Sequence, residues 1–233
     1  LQVEDTNTKT LSWNGPIGTK ITVQQLFYNV PVRLKFLKNT GTEYAHCLEL
    51  IQAISLCYPN ISFQLTHNGK QRFSAPKINI EDSSTNSTKD ALKARWSLIV
   101  GQENIDQFDY VEAQNEFGHW HAFISPPGLE QASSKHLFHF VNGRWVKDKT
   151  ITYGILRGYH SHLMKGRYPQ VVSFFQCDPS LVDVNVHPAK TELRFQYTAE
   201  VQALISQTRR RQIRQAEWVF PGSDSSSQIA NFP

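Results

Sequence analysis

The amino-acid sequence predicts an α+β fold in two parts, the second of which contains a mixed β-sheet. Runs of alternating apolar residues, typical of strands with one buried face, are interspersed with runs at the spacing of an amphipathic helix. Asn-Gly dipeptides at 68–69 and 142–143 accept the positive φ angles that tight hairpin turns require. A strand–helix–strand order in the second half completes the pattern of a mixed sheet.

The first eighty residues predict a strand at 18–29, a helix at 43–57 and a hairpin at 61–75. The strand is indicated by alternating Ile21 and Val23, and it leads into a turn at Pro31. Apolar side chains then recur at helical spacing until Pro59 stops the pattern. The hairpin is centred on the first Asn-Gly dipeptide.

Residues 81–90 contain no apolar side chain, so they are predicted to form a connecting loop. Beyond this loop, the patterns predict strands at 108–114, 119–125, 136–141 and 144–146, a helix at 151–163, strands at 171–177 and 181–186, and a helix from about residue 198. Ile151, Ile155 and Tyr159 mark the buried face of the first of these helices. The small, polar residues of 221–227 predict that a flexible linker begins there, over residues 221–233.

Composition indicates a globular protein. Of the 233 residues, 39% are hydrophobic and 19% are charged, whereas disordered chains combine low hydrophobicity with high net charge. No stretch approaches the roughly 18 consecutive apolar residues of a membrane span, and the start does not resemble a signal peptide. We therefore expect an intracellular protein with no membrane partner.

The chain opens on Leu1 and its only methionine is Met164. We therefore expect it to be a fragment of a longer protein.

Cysteine spacing and charge placement narrow the expectations further. The three cysteines show neither pairing nor zinc-ligand spacing, which predicts free structural thiols and no metal site. The formal net charge of +4 is unevenly distributed, because four arginines are clustered near the C-terminal end of the sequence. Such a cluster either binds a polyanion or forms a solvated helix face. The clustered cations are Arg209, Arg210, Arg211 and Arg214.

Three motifs are more specific than periodicity. They are GTKITVQQLFYNVPVRLKFL at 18–37, FVNGR at 140–144 and VDVNVHPAKTELRF at 182–195. In order and spacing they resemble the GT-x-V-x-V-x-x-LF-x-N-x-P-x-R-x-KFL, (Y/F)VNGR and VDVNVHPAK-x-EVRF signatures of the MutL family of DNA mismatch-repair proteins. Leu193 replaces the more usual valine of the last signature, which is an apolar exchange. The resemblance covers about residues 15 to 210.

The family resemblance implies two domains. MutL proteins belong with gyrase and the Hsp90 chaperones in the GHKL ATPase superfamily, so residues 1–80 are expected to be the last part of a GHKL-type ATPase α/β sandwich. Residues 91–220 are then expected to form a transducer domain that resembles domain 2 of ribosomal protein S5. Residues 81–90 would connect them, and residues 221–233 would begin the linker to a dimerisation domain.

The resemblance also implies an ATP site that this sequence holds only in part. The family's site opens with an E-x-x-x-N-x-x-DA helix, whose Glu activates water and whose Asn holds magnesium, followed by D-x-G-x-G and a glycine-rich lid. None of these motifs occurs here. We therefore expect the parent protein to be an ATPase that uses ATP and Mg. This chain alone is expected to have no catalytic residue, no tightly bound nucleotide and no ATPase activity.

Two residues are implied as ATP contacts. Lys190 follows a valine-rich strand through a His-Pro-Ala turn, and by resemblance it contacts the γ-phosphate from the second domain. Thr19 is implied as a nucleotide-side contact. The alternatives to these ATP contacts are that Lys190 is a solvated lysine and that Thr19 is an ordinary turn residue. Asp183, Asn185 and His187 share one face of a strand and are expected to shape the loop before Lys190 rather than to bind metal.

The resemblance further implies DNA binding by the second domain. MutL-like proteins bind single- and double-stranded DNA without sequence preference, in a positively charged groove formed when two transducer domains come together. Lys149 falls where the family usually has a basic residue in this groove. The other candidates surround the Asn142–Gly143 turn and the following helix, and they are Arg144, Lys147, Arg157, Lys165 and Arg167. The alternative for the whole set is a solvated basic face.

The implied function is to couple ATP binding and hydrolysis to DNA binding and dimer closure. Expected partners are DNA, a second copy or a MutL paralogue, and a mismatch-recognition protein of the MutS type. Expected locations are the cytoplasm of a bacterium or the nucleus of a eukaryote.

One rival function is that of an S5-like module that prefers RNA and whose binding does not depend on Lys190. Another is a hydrolase built on Asp183, His187 and Glu192, which the strand spacing disfavours because Glu192 lies past Pro188.

Overall fold

A computed structural model of the chain describes residues 2–4, 7–9, 17–79, 85–184 and 192–215. Its helices are α1 (Pro31–Leu34), α2 (Thr40–Cys57), α3 (Thr85–Val100), α4 (Gln102–Ile105), α5 (Lys149–Tyr159) and α6 (Thr198–Gln215). Its strands are β1 (Gln2–Glu4), β2 (Asn7–Lys9), β3 (Phe63–His67), β4 (Lys70–Ala75), β5 (Asp109–Asn115), β6 (Gly118–Ile124), β7 (Leu137–Val141), β8 (Arg144–Val146), β9 (Val171–Gln176), β10 (Val182–Asp183) and β11 (Arg194–Phe195). The chain divides into two compact units, residues 1–43 and 44–233.

In the first unit, the strand predicted over residues 18–29 is wrong. Residues 19–24 form no strand, and Ile21 and Val23 are 83% and 71% exposed. Alternating side chains favour a strand only where a neighbouring strand receives its backbone hydrogen bonds, and no strand in the described part of the chain pairs with this segment. The turn prediction is confirmed, because Val30 N–H donates to Phe27 O at 3.0 Å before Pro31 begins α1.

The second unit is built on a five-stranded sheet in the order β5-β6-β9-β7-β8. β7 and β9 are parallel, with α5 between them in the chain, and the other neighbours are antiparallel. The mixed sheet is therefore confirmed. The β7–β8 turn forms at Asn142 and Gly143, whose φ angles of 49° and 77° are those that this dipeptide tolerates best.

Both faces of the sheet are buried. One face packs with α5 and α6 in a core that includes Trp120, Phe175, Ile155 and Ile205. The other face packs with α2 and α3, including Trp96, and that core comprises Ala53, Leu56, Leu92, Trp96, Val100, Ile105, Phe108, Phe123, Phe138, Phe140 and Val172. Two aromatic-rich layers thus fix the sheet between helices and leave the outer helix faces for function.

The loop predicted over residues 81–90 is wrong for residues 85–90, which form the first turns of α3, whereas residues 81–84 lie outside the described residues. A polar stretch without Pro or Gly continues a helix readily when the following residues bury an apolar face, as Ala91, Leu92 and Trp96 do. Arg95 of the same helix donates to the carbonyls of Pro59 and Ile61 at 2.7 and 3.0 Å. The division into an ATPase remnant and a transducer domain stays a prediction.

Helix α2 and the β3–β4 hairpin confirm the other early predictions. The hairpin turns at Asn68, with a register irregularity between Leu65 and Thr66. None of the helices among the described residues is long and apolar enough to cross a membrane.

Helices α5 and α6 cross at two glycines of α5. A Cβ added to Gly158 would lie 2.7 Å from the Cβ of Arg209, whereas one added to Gly154 would lie 3.2 Å from the Cβ of Ile205. Real Cβ atoms do not approach other atoms to 2.7 Å, and both atoms at that contact belong to helix backbones or are rigidly attached to them. The close approach of the two helices therefore depends on Gly158.

We predict that Gly158→Ala lowers the free energy of unfolding by about 1–3 kcal/mol, because overpacking outweighs the gain in helix propensity. Gly154→Ala is the matched control, since its added Cβ would lie 3.2 Å from the Ile205 Cβ and 3.3 Å from the Gln202 Cα, contacts that a shift of a few tenths of an ångström relieves. Urea denaturation monitored by circular dichroism measures both. Equal stability of the two variants would contradict the packing described here.

Candidate nucleic-acid interface

Helix α5 begins at a fixed position because Asp148 caps it. The Asp148 carboxylate accepts the Ile151 N–H at 2.7 Å, and its backbone carbonyl accepts the Thr152 hydroxyl at 2.7 Å. Burial raises the pKa of Asp148, and hydrogen bonds from Ile151 and Thr150 oppose that rise. Lys149 is therefore held at the first helical position, with its side chain exposed.

The two faces of α5 differ sharply. Ile151, Ile155 and Tyr159 are fully buried, which confirms the predicted inner face. Its exposed residues Lys149, Tyr153 and Arg157 recur four positions apart and so lie on one outer face. This face and the exposed His160, which directly follows the helix, are here termed the α5 stripe. Sequence reasoning found its two cations but missed Tyr153 and His160, although the helical spacing of Tyr153 from Lys149 was a usable signal.

A cleft of about 1200 Å³ opens beside the start of the α5 stripe. Its walls come from α2, from residues 133–139 and from the first two turns of α5. Three lysines and three tyrosines are among the lining residues, namely Lys135, Lys147, Lys149, Tyr44, Tyr153 and Tyr168. Cations and aromatic rings in one concave surface are the combination that proteins use for nucleic acids.

One lysine of this cleft is already paired. Lys147 Nζ lies 2.7 Å from Glu49 Oε2 of α2 and 5.2 Å from the centre of the Trp145 ring. Lys149 makes no such pair in the described part of the chain. Its charge is consequently available to a ligand.

A smaller groove of about 360 Å³ lies at the other end of the α5 stripe. Arg210 of α6 reaches it and donates to the Arg157 carbonyl, with Nε and Nη2 at 3.3 and 3.2 Å. The lining residues are Tyr153, Leu156, Arg157, His160 and Arg210. The groove therefore joins cations from two helices.

Comparison with known proteins identifies the family. The family described as "DNA mismatch repair protein, C-terminal domain" matches residues 97–214, which is half of the chain and includes the sheet, α5 and α6. The chain belongs to the MutL family of DNA mismatch repair proteins. This confirms the resemblance carried by the three sequence motifs.

MutL proteins of known sequence agree over most of the chain. The MutL of Geobacillus kaustophilus (strain HTA426) is 36% identical over 216 residues, which are 93% of this chain and 32% of that protein. The MutL of Streptococcus equi subsp. zooepidemicus (strain MGCS10565) is 39% identical over 82% of this chain and 27% of that protein. The chain thus spans about a third or less of the length of these MutL relatives.

Solved structures agree in fold. A crystal structure of the N-terminal domain of a DNA repair protein superposes with a TM-score of 0.64 at 22% identity, over 84% of this chain and 61% of that one. The ATPase domain of the mismatch repair endonuclease MutL from Aquifex aeolicus gives 0.51 at 22% identity, over 79% and 59%. These likenesses are of fold alone, and they confirm the predicted α+β fold class.

The remaining MutL site predictions are dispersed. Arg144 is exposed at the start of β8, and Lys165 and Arg167 are exposed in the turn before β9, outside both clefts. Thr19 is exposed in the first unit. Lys190 lies outside the described residues, together with Asn185 and His187. The ATP-contact and DNA-contact roles of these residues stay predictions.

The arginine cluster of α6 does not form one surface. Arg211 and Arg214 are exposed, but the Arg209 side chain is fully buried and donates to Asp109 Oδ2 at 2.8 Å and to the Ser125 carbonyl at 2.9 Å. Its guanidinium lies 4.6 Å from the centre of the Tyr159 ring. The interpretation of residues 209–214 as a single solvated or DNA-facing run is therefore wrong for Arg209, which stabilises the fold.

The hydroxyl of Tyr159 completes this buried network by donating to the same Ser125 carbonyl. Burial raises the pKa of Tyr159 to about 12, although the Arg209 guanidinium opposes the rise. Tyr159 is thus a neutral donor at physiological pH. One carbonyl at the end of β6 anchors both α5 and α6.

A buried histidine lies beneath α5. His139 of β7 shares hydrogen bonds with Ser173 Oγ at 2.8 Å and with Thr152 Oγ1 at 3.1 Å, and it is 1% exposed. Burial lowers the pKa of His139 to about 3. A neutral imidazole therefore joins two parallel strands to α5. Sequence reasoning missed it because one polar residue within an apolar strand has no distinguishing pattern.

We predict that Arg209→Ala lowers the free energy of unfolding by about 3 kcal/mol or more, because it leaves the partly buried Asp109 without its ion-pair partner and empties a fully buried site. Arg211→Ala, two residues away and exposed, should change it by less than about 0.5 kcal/mol. Chemical denaturation of the two variants measures the difference. Equal losses would show that Arg209 is not a structural anchor.

The low pKa of His139 predicts acid sensitivity. Between pH 6.5 and 3 the unfolded chain binds a proton at this histidine and the folded chain does not, so its stabilising contribution is complete above pH 6.5 and declines as pH falls. His139→Asn should reduce the slope of unfolding free energy against pH by about 1.4 kcal/mol per unit in this window.

Two other histidines set the baseline of that experiment. Burial also lowers the pKa of His121 and His136, so some acid sensitivity should persist in the His139 variant. His46→Asn, which replaces an exposed histidine of α2, is the control substitution. A slope in His139→Asn equal to that of the unsubstituted protein would refute the assignment.

Proposed function

We propose that the α5 stripe and its two clefts form a DNA-binding surface that recognises the phosphate backbone without sequence preference. The observation that carries the proposal is the exposed Lys149 at the first position of α5, facing a cleft with two further lysines. A positive side chain at a helix N-terminus opposes the helix dipole by about 0.3–1 kcal/mol. A sequence selected for stability alone would have an acidic residue there, whereas a phosphate ligand removes the penalty.

The charge balance of the stripe supports an anionic ligand. Its side chains include no carboxylate, and Arg210 adds a cation from α6. Lys149 and Arg157 lie eight residues apart, or about 12 Å along the helix axis, so one bound strand would contact both. Lys147 should contribute less, because Glu49 already neutralises it. Arg144, Lys165 and Arg167 would extend the contact outside the clefts.

For the longer protein to which this chain corresponds, we propose ATP-dependent control of DNA binding. Its supports are family membership and the Lys190 and Thr19 motifs, with ATP and Mg as the cofactors of the parent. DNA binding would be coupled to closure of a dimer with a second copy or a paralogue, and a MutS-type protein would recruit it. We place this activity inside the cell, in the bacterial cytoplasm or the eukaryotic nucleus.

RNA binding is the rival function for the same surface, since phosphate contacts alone do not distinguish the two nucleic acids. Membership of a DNA mismatch repair family favours DNA. Competition of single-stranded RNA and DNA of one sequence for the labelled DNA complex decides between them, and stronger competition by RNA would favour the rival.

We predict that Lys149→Glu and Arg157→Glu each weaken double-stranded DNA binding by about tenfold and reduce the slope of log affinity against log salt by about one. Each lost cation releases roughly one fewer counterion. Fluorescence anisotropy across a salt series, from about 50 to 200 mM, is the measurement.

The control for this experiment is Arg72→Glu, which reverses an exposed cation on β4, outside both clefts. It changes the net charge by the same amount, so it removes long-range electrostatics as an explanation. An equal loss of affinity in Arg72→Glu would show that net charge, rather than the α5 stripe, binds DNA.

The same protein should neither hydrolyse ATP nor bind it tightly, because the family's catalytic Glu and magnesium-binding Asn motifs are not in its sequence. Phosphate release and calorimetric titration with a non-hydrolysable ATP analogue test this. Any weak binding should be abolished by Lys190→Ala and retained in Lys70→Ala. Hydrolysis above the rate of a mock preparation, or binding indifferent to Lys190, would contradict the prediction.

A further inference from the structure

Tyr153 occupies an unusual place on the α5 stripe. Its side chain is 56% exposed on the second turn of a capped helix, and within the described part of the chain it has no hydrogen bond and no ring partner. By contrast, Tyr159 of the same helix is fully buried and hydrogen-bonded. A single exposed aromatic residue is ordinary on a protein surface, so its surroundings decide whether it has a role.

Those surroundings are two concave surfaces that share one wall. Tyr153 and Leu156 line both the larger cleft and the smaller groove. Lys149 lies one turn before Tyr153 and Arg157 lies one turn after it, each about 6 Å away along the helix axis. The ring is therefore a ridge between two pockets, with a cation on each side.

This arrangement matches the requirements of an unpaired nucleotide strand. Proteins bind single strands by combining cations that follow the backbone with aromatic rings on which bases stack, and stacking tolerates any sequence because every base has a π-face. In a duplex the bases are already stacked on one another, so a ring on a convex helix meets phosphates and sugars instead. The cations can therefore contact the phosphates of single-stranded and duplex DNA alike, whereas the ring can stack only on the bases of a single strand.

We propose that Tyr153 is a base-stacking residue that makes this surface selective for unpaired DNA bases over duplex DNA. The inference rests on the proposed DNA-binding function and adds to it the residue that discriminates between the two forms. Lys149 and Arg157 hold the phosphates on either side, and the ring receives the base between them. Its commitment to DNA follows from membership of the mismatch repair family.

The test compares a single-stranded oligonucleotide with a duplex of the same sequence, using anisotropy at one salt concentration. Tyr153→Ala should weaken single-strand binding about tenfold, the order expected for one lost stacking contact, and duplex binding less than about twofold. Tyr153→Phe retains the ring and should bind both like the unsubstituted protein. Circular dichroism and urea midpoints establish that each variant is folded.

Tyr58→Ala is the matched control, since this half-exposed tyrosine follows α2 and lines neither pocket. It should leave both affinities unchanged. Equal losses for single strand and duplex in Tyr153→Ala, no loss for either, or failure of Tyr153→Phe to preserve binding would each overturn the inference. Tighter binding of single-stranded RNA than of the same DNA sequence would overturn its commitment to DNA.

The outcomes separate this inference from the function beneath it. If duplex DNA binds with the expected dependence on salt and on Lys149, but Tyr153→Ala has no selective effect, the stacking role alone fails. If the protein binds neither form of DNA, the DNA-binding function fails and the stacking role fails with it.

Discussion

The close crossing of α5 and α6, with the Arg209 guanidinium buried beside it, is the constraint on which the rest of the second unit depends. Gly158 lets the two helices approach, and Arg209 then reaches Asp109 on β5 and the carbonyl of Ser125 beyond β6. A buried guanidinium is strongly unfavourable unless its donors are satisfied. Tyr159 of α5 donates to the same Ser125 carbonyl, so the network holds the Tyr159 side of α5 against the sheet and leaves the opposite side facing outward.

Buried and exposed polar groups have separate roles in this arrangement. Arg209 and His139 lie inside, where hydrogen bonds to neighbouring elements hold α5 against the sheet. Lys149 and Arg157 lie outside on the same helix, and their charged groups make no such bond to the described residues. Because both faces of the sheet are covered by helices, the outer face of the helical layer is where a large polyanion can reach the domain. One side of α5 is thus fixed to the sheet, while the opposite side presents the exposed charges of Lys149 and Arg157.

The DNA and nucleotide proposals differ in how much of the molecule they require. Every side chain of the α5 stripe and its clefts comes from one compact unit, so the contribution of these side chains can be tested directly in this chain. The ATP contacts proposed for Thr19 and Lys190 come from widely separated motifs, and the family's catalytic motifs are not in the sequence. DNA binding therefore provides the firmer experimental starting point, and ATP coupling concerns the longer protein.

The sequence by itself determined the family, the mixed sheet, the Asn142–Gly143 turn and the inner face of α5, because motifs, turn preferences and helical periodicity are properties of neighbouring residues. Only the tertiary structure decided that residues 19–24 have no strand partner among the described residues, and that Arg209 is buried while Arg211 is exposed. It also showed that Tyr153 separates two clefts. Asp109 is 100 residues from Arg209, and no local pattern records a contact between residues so far apart.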